Sequence, residues 1–461
     1  MMNGDDDDRL LGVDDRSRGI ARELYDGIRS LPIISPHGHV DATMLVADSP
    51  FPDPTALLIR PDHYVTRMLI ASGADPLRLR QGSPEEVWAD FVAAWPYYAG
   101  TATGYWLAHQ LRTLFSIDLD DPDETAERSY TVIATQLRDP AFRPKQLLEA
   151  FGIEVLATTD DPLDDLGAHT ALASDQSVGT RVVPTFRADA YLDPAHPGFG
   201  DAVVAVAARF GTAPDDLDAH LDGLAACRAD FRAAGAVSAD HGVLSPYTVE
   251  LEPEEARRLF RLAVRGEADE RAVRALAGHL LLWSAAQSAR DGLVMTIHAG
   301  VLRDYSSSIH AALGRDAGYD IPVATEFTRN LRPLLERFGH TPGFHLVLFT
   351  VDETTWSREL APLAGAYPSV YIGAPWWFLD APDAVRRFRA ATAESAGLLR
   401  GSGFIDDTRA LTSIPARHDM ARRLDAAYLA TLVVEGRMTA RMAERLAYEL
   451  TVDLPRRVFK L

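Results

Sequence analysis

Eight short apolar runs, each closing on polar residues, are spread along this chain. They are LPIISPHGH (31–39), EVLATTDDP (154–162), TRVVPTFRAD (180–189), GAVSADHG (235–242), LVMTIHAG (293–300), HLVLFTVDE (345–353), SVYIGAPWW (369–377) and GFIDDTR (403–409). Most show no polar alternation, the pattern of parallel strands covered on both faces. Helical patterns separate them, among them EEARRLFRLAVRG, VRALAGHLLLWSAAQSAR, RNLRPLLERFG and DAVRRFRAATAESAGLL. Strand–helix alternation repeated in this way predicts an α/β chain folded as a (β/α)8 TIM-like barrel. The competing architecture is an open doubly wound sheet. Its usual nucleotide fingerprints, GxGxxG after the first strand or GxxxxGKS, are missing from the sequence.

One connection breaks the rhythm. Residues 40–153 hold no convincing barrel strand but contain DHYVTRMLIASG, PEEVWADFVAAW, GYWLAHQLRTLF and ETAERSYTVIATQLRD, all with helical spacing. A structureless loop of that length is improbable. The segment is therefore expected to be a helical insertion after strand 1, lying over the barrel mouth. The remaining divisions are a tail and leading helix over 1–30, the barrel over 31–420 and closing helices over 421–461. The start, MMNGDDDDRLLG, is acidic where a secretory signal would be basic and then apolar. No run approaches the roughly 18 apolar residues of a bilayer span. A frayed tail and a cytoplasmic location are expected.

Composition removes several chemistries. Cys227 is the only cysteine, which excludes an intramolecular disulfide and multi-cysteine metal sites. It sits in the helical context GLAACRADF and reads as a small core residue. A net charge of −20 disfavours nucleic acid and anionic membranes as partners, and an anionic small substrate would need a local cluster of arginines. Of 46 basic residues only Lys145 and Lys460 are lysines, and neither lies at a strand end. A Schiff-base mechanism, or a two-metal site bridged by a modified lysine, is therefore disfavoured.

In a barrel of this class the active site lies where the strands end. Those ends carry His37 and His39, Asp160 and Asp161, Arg187, Asp240 and His241, His298 with Arg303 beyond it, Asp352, Trp376 and Trp377, and Asp407 with Arg409. Four of the 14 histidines fall at these few positions, which argues for one polar site. His37 and His39 are i and i+2 on an extended segment, so both imidazoles can reach one cation. Asp407 ends the eighth strand, which neighbours the first in a closed barrel. Two imidazoles and a carboxylate with positions left open make a catalytic metal site. Arg187, Arg303 and Arg409 are candidates to grip a carboxylate, or to neutralise neighbouring aspartates. Asp160, Asp161, Asp164 and Asp165 read first as helix caps. Asp240–His241 is evenly balanced between proton transfer and a structural hydrogen bond, and Trp376–Trp377 between a sugar wall and core packing.

The ordered set LPIISPHGHVD, PDHYVTRMLIASG, EVLATTDDPLDDL, VVPTFRAD, SADHG, TIHAGVLRD, GAPWWF and FIDDTRALTSIPARHD resembles the uronate isomerase (glucuronate isomerase) family of the amidohydrolase superfamily. It spans residues of about 31 to 420, nearly the whole chain. The resemblance implies a metal-dependent (β/α)8 barrel. It also implies aldose–ketose isomerisation of D-glucuronate to D-fructuronate and D-galacturonate to D-tagaturonate. His37, His39 and Asp407 would hold one divalent cation, with zinc the implied ion. Tyr64 in DHYVTR matches a site tyrosine carried by the insertion, and Arg409 matches the arginine of an Asp-Ser-Arg motif. Arg187 and Asp240 match polar site residues. His298 matches a histidine that lines the site, as ligand or as substrate contact. The chain departs from the family's pattern at Gly38, where cysteine is common, and at Thr408, where serine is. Asp304 and Tyr305 replace asparagines and place a negative charge near a site for an anion.

Isomerisation moves a hydrogen between C2 and C1 of the open-chain sugar. The expected route is an enediol, with the cation stabilising charge on the two oxygens. Tyr64, Asp407 and a hydroxide held by the cation are the candidate bases. The small sugar acid is the expected partner, and assembly into a homo-oligomer is allowed. The alternatives are a mononuclear metal-dependent hydrolase of the same superfamily, acting on a lactone, ester or amide, and a sugar-acid sensor without turnover.

Overall fold

The computed structural model describes residues 8–315 and 317–461. Most of the acidic run at 5–8 thus lies outside the described residues. Among the described residues ten strands form: β1 (Ile33–Ser35), β2 (Ile153–Ala157), β3 (Arg181–Val183), β4 (Phe186–Arg187), β5 (Ser238–Val243), β6 (Val294–Ala299), β7 (Val301–Leu302), β8 (Ile321–Pro322), β9 (Leu346–Thr350) and β10 (Val370–Ile372). β1–β2–β3 pair in one parallel sheet and β4–β5–β6–β9–β10 in another, while β7 and β8 pair antiparallel.

The two parallel sheets are halves of one ring. At the first seam β2 continues past Ala157, and Asp160 bridges Phe186. Here β3 and β4 are two pieces of a single barrel strand. Pro184 lies between them and has no N–H to give the ladder. At the second seam the segment 401–408 lies between β10 and the continuation of β1. Ile372 bridges Gly401, Ser402 N–H donates to Ile372 O at 2.9 Å, and His39 N–H donates to Thr408 O at 3.0 Å. The fold is of the (β/α)8 TIM-like class expected from the sequence, with one local difference. The run 403–409 joins the ring without being a regular strand. Gly403 at φ +79° and Asp407 at φ +41° take left-handed conformations that an extended ladder excludes.

Strands β5, β6 and β9 consist almost entirely of buried residues, as a sheet with both faces covered must. Residues 40–153 are helical from Ala42–Ala47 to Pro144–Ala150. They fold locally because caps start their helices: Asp62 before His63–Ala71, and a Ser83–Glu86 capping box before Pro84–Ala93. Their apolar faces form a cluster of their own around Trp88, Phe91, Tyr98, Leu107 and Phe115. One helix, Ser413–Val434, runs through the division expected at 420/421, because most of its residues are buried and no turn residue interrupts it. Cys227 is fully buried in the helix Leu217–Ala233. Lys145 pairs with Asp175 at 2.8 Å and Lys460 Nζ donates to two backbone carbonyls, so both lysines have structural partners.

The helices Asp15–Ile28, Ala102–Phe115 and Ser413–Val434 meet at Asp419. Its carboxylate accepts from Tyr25 OH, from Tyr105 OH at 2.6 Å and from Arg423 Nε at 2.9 Å. Burial opposes its charge, but Arg423, His109 and the two phenols hold its pKa below the usual range. Its stabilising contribution is therefore present above the ordinary carboxylate pKa and is lost as pH falls through its depressed value. Asp419→Ala should cost about 3–5 kcal/mol, since a buried pair loses one partner. Urea denaturation at pH 7 reads this loss, and the gap to the natural chain should narrow in strong acid.

Candidate active site and metal centre

The site forms where β5, β6, the continuation of β1 and the eighth segment converge. β5 and β6 pair with Asp240 opposite Thr296 and Gly242 opposite His298. Alternate strand residues share a face, so Asp240 and His298 look to the same side while His241 looks to the other. Asp240 is fully buried. One carboxylate oxygen accepts from Thr296 Oγ1 at 2.6 Å and lies 2.7 Å from His298 Nδ1. The other lies 3.1 Å from Arg187 Nη1. Burial pushes the Asp240 pKa up, but His298, Arg187 and His37 outweigh it and hold the carboxyl well below its usual range.

That arrangement sets the tautomer of His298. A carboxylate can only accept, so Nδ1 carries the proton and Nε2 keeps its lone pair. His298 Nε2 is buried with no hydrogen-bond partner, and burial lowers the imidazole pKa and keeps the ring neutral. The ring is stacked between His37, with centroids 4.8 Å apart, and Phe349 at 4.1 Å, and Trp376 meets it edge-on at 4.7 Å.

His37 is buried and His39 partly open, and their rings meet edge-on with centroids 5.3 Å apart. Asp407 Oδ1 lies 3.0 Å from His39 Nε2 and 3.5 Å from His37 Nε2. Burial pushes the Asp407 carboxyl up, but the two imidazoles hold it well below the usual range. Among the described residues, His37, His298 and Asp407 place one ligand atom each within 4.8 Å of one another. The expected pair of His37 and Asp407 is thus completed by His298 in this grouping, while His39 faces the same Asp407 oxygen as His37. The chemistry of these donors fits a divalent cation. A buried nitrogen lone pair without a donor, a second imidazole and an ionised carboxylate oxygen are what such an ion binds. The Asp240–His298 pair supplies the outer hydrogen bond that metal-binding imidazoles carry.

The other expected residues divide into two sets. Arg187 lies between Asp240 and Asp189, with its Nε 2.9 Å from Asp189 Oδ2, and stays a fixed cation although burial works against its charge. Tyr64 is buried, set at the start of its helix by a Tyr64 N–H bond to Asp62 Oδ1 at 2.9 Å, and lies edge-on to Trp106 at 5.6 Å. Burial pushes its phenol pKa far up and keeps it protonated. Trp376 and Trp377 are both buried, Trp377 at φ +54°, a strained conformation for so large a residue. Arg303 lies over the Trp377 ring at 4.7 Å and 3.4 Å from Asp320, while Arg409 is exposed. His241 does not join Asp240; its Nδ1 lies 3.0 Å from Thr296 O. Asp160 is tied to Thr158, His169 and the Thr185 N–H. Asp161 accepts from Tyr191 OH, and Asp165 from Gly167 N–H at the start of the next helix. Asp304 sits in a left-handed turn at φ +52°, with its Oδ2 3.3 Å from His310 Nδ1.

Sequence reasoning passed over Thr296, Asp189, Asp380, Asp406 and Arg417. Thr296 had a signal, two residues before His298 on one face. Arg417 stood unremarked inside the PARHD end of a motif already quoted.

A family model for glucuronate isomerase matches residues 15–456. The chain is 47% identical over 460 residues to a uronate isomerase of Corynebacterium efficiens, with 98% of each chain covered. A crystal structure of glucuronate isomerase from Caulobacter crescentus superposes with a TM-score of 0.94 at 39% identity, covering 98% of this chain and 96% of that one. A uronate isomerase structure from Thermotoga maritima gives a TM-score of 0.92 at 27% identity, with 100% of both chains covered. No helix among the described residues is long and apolar enough to cross a membrane.

Asp240→Asn should weaken retention of a divalent metal by roughly 10- to 100-fold, because the group that orients His298 loses its charge. Competition with a metallochromic chelator measures this. Unchanged affinity would separate Asp240 from the metal centre.

Proposed function

Because the chain belongs to the uronate isomerase family, we propose that it interconverts D-glucuronate with D-fructuronate and D-galacturonate with D-tagaturonate at the mouth of this barrel. The observation that carries the reading is the buried grouping of His37, His298 and Asp407, oriented from behind by Asp240. His37, His39 and Asp407 would hold one divalent cation, zinc being the ion such a donor set suits, with His298 Nε2 within reach of the same position. An ion held there would supply Lewis-acid stabilisation of negative charge developing on substrate oxygen.

The chain's own groups supply the rest. The hydrogen on C2 leaves as a proton to a base and a proton is returned to C1. The C1 carbonyl becomes a hydroxyl while the C2 hydroxyl becomes the carbonyl. Asp407, a carboxylate beside both imidazoles, is the candidate to accept that proton. Tyr64 is suited to the opposite task. Its phenol stays protonated and donates a hydrogen bond where oxygen charge grows. Arg187, a fixed half-buried cation beside Asp240, and Arg409, exposed to solvent, would meet the enediolate and the substrate carboxylate. Arg303 and the Trp376–Trp377 pair would close the side of the site on which the sugar lies.

Purified enzyme with zinc should form ketose from glucuronate and galacturonate, and in deuterated water the product should carry deuterium at C1. Ketose without solvent deuterium would replace proton transfer by a hydride shift. Lactone hydrolysis with no uronate turnover would instead support the hydrolase. Arg409→Lys should keep one metal per chain and lose about 10²-fold in kcat, because the planar fork is gone.

A further inference from the structure

The helix Ser413–Val434 carries a cation that the reaction above does not use. Arg417 has no exposed surface, yet its guanidinium touches four separate parts of the chain. It lies over the Trp106 ring at 3.8 Å and the Tyr64 ring at 4.6 Å, so two aromatic faces of the helical insertion pack against it. Nη1 donates to Asp406 O at 3.3 Å and lies 3.5 Å from Asp380 Oδ2, while Nε donates to Ser413 Oγ at 3.1 Å. Nη2 lies 3.6 Å from Asp62 Oδ2, and the other oxygen of Asp62 holds the Tyr64 N–H.

We propose that Arg417 is a positioning residue, a single buried guanidinium that sets Tyr64 and Asp407 in place relative to each other. Tyr64 comes from the insertion and Asp407 from the eighth segment, and no strand pairing joins the two. Arg417 reaches both sides at once. On one side it stacks on the Tyr64 ring and faces the Asp62 carboxylate that starts the Tyr64 helix. On the other it holds the carbonyl of Asp406, the peptide leading into Asp407. That peptide needs a tether, since Asp407 sits at φ +41°, a conformation that costs free energy unless its surroundings impose it. Lysine cannot substitute, because a point charge on a flexible stem neither stacks on two rings nor spans two acceptors.

The kinetic consequence rests on the isomerase reading; the positioning claim has its own readout. The test uses the full-length, zinc-loaded protein with Arg417→Lys, Arg417→Met and Arg417→Ala. Each variant should keep one zinc per chain and a KM for glucuronate within about threefold of the natural chain. kcat should fall roughly 10²-fold, the cost of a displacement near 1 Å. Millimolar guanidinium chloride should restore part of kcat in Arg417→Ala and none in the natural chain. A crystal structure of Arg417→Met should show the Tyr64 ring or the Asp407 backbone displaced. The proposal is overturned if kcat is unchanged, if both groups stay in place, or if even Arg417→Lys cannot fold, which would make the residue a fold element alone. A natural chain inactive on every uronate would sink the isomerase reading instead, and the crystal structure would still decide the positioning claim.

Discussion

The carboxylate of Asp240 is the constraint on which the barrel mouth depends. It is fully buried and remains ionised because three donors face it: Thr296, His298 and Arg187. An ion of that kind is costly to bury unless its partners are fixed. Here they are fixed by strand register, since β4, β5 and β6 are hydrogen-bonded neighbours. The same carboxylate decides which nitrogen of His298 carries a proton, and so turns a lone pair toward His37 and Asp407. A parallel sheet thus gives one imidazole the electronic state that cation binding requires.

Around this rigid wall the rest of the site comes from less regular chain. Asp407 and Trp377 both adopt left-handed backbone, and Tyr64 arrives on a helix of the insertion. Such pieces gain their precision from buried charges that tie segments together. Asp419 joins the N-terminal helix, the insertion and the long C-terminal helix. Arg417 joins the same insertion to the eighth segment. The closing helices are therefore part of how the site is held, although no residue expected to touch the substrate belongs to them.

Much of this was legible in the sequence, for specific reasons. Continuous apolar runs announce buried parallel strands, and seven of the eight expected runs contain regular strand. The eighth does not, because Gly403 and Asp407 give it turn geometry that an apolar pattern cannot reveal. His37, His39 and Asp407 stand out because strand ends collect function in this fold. Asp240–His241 was ambiguous, since adjacency in sequence places two side chains on opposite faces of a strand. The partner of Asp240 proved to be His298, 58 residues away. Arg417 was hidden because arginine on a long helix ordinarily faces water, and only the packing shows that this one does not.

The chemistry of this site requires one cation at the position these side chains prepare. Diffraction from zinc-loaded crystals, collected on both sides of the zinc absorption edge, addresses this directly. It should show one anomalous peak per chain, bounded by His37, His39, His298 and Asp407, with nitrogen and oxygen ligands at about 2.0–2.2 Å. A peak elsewhere, or none with the protein saturated in zinc, would contradict it.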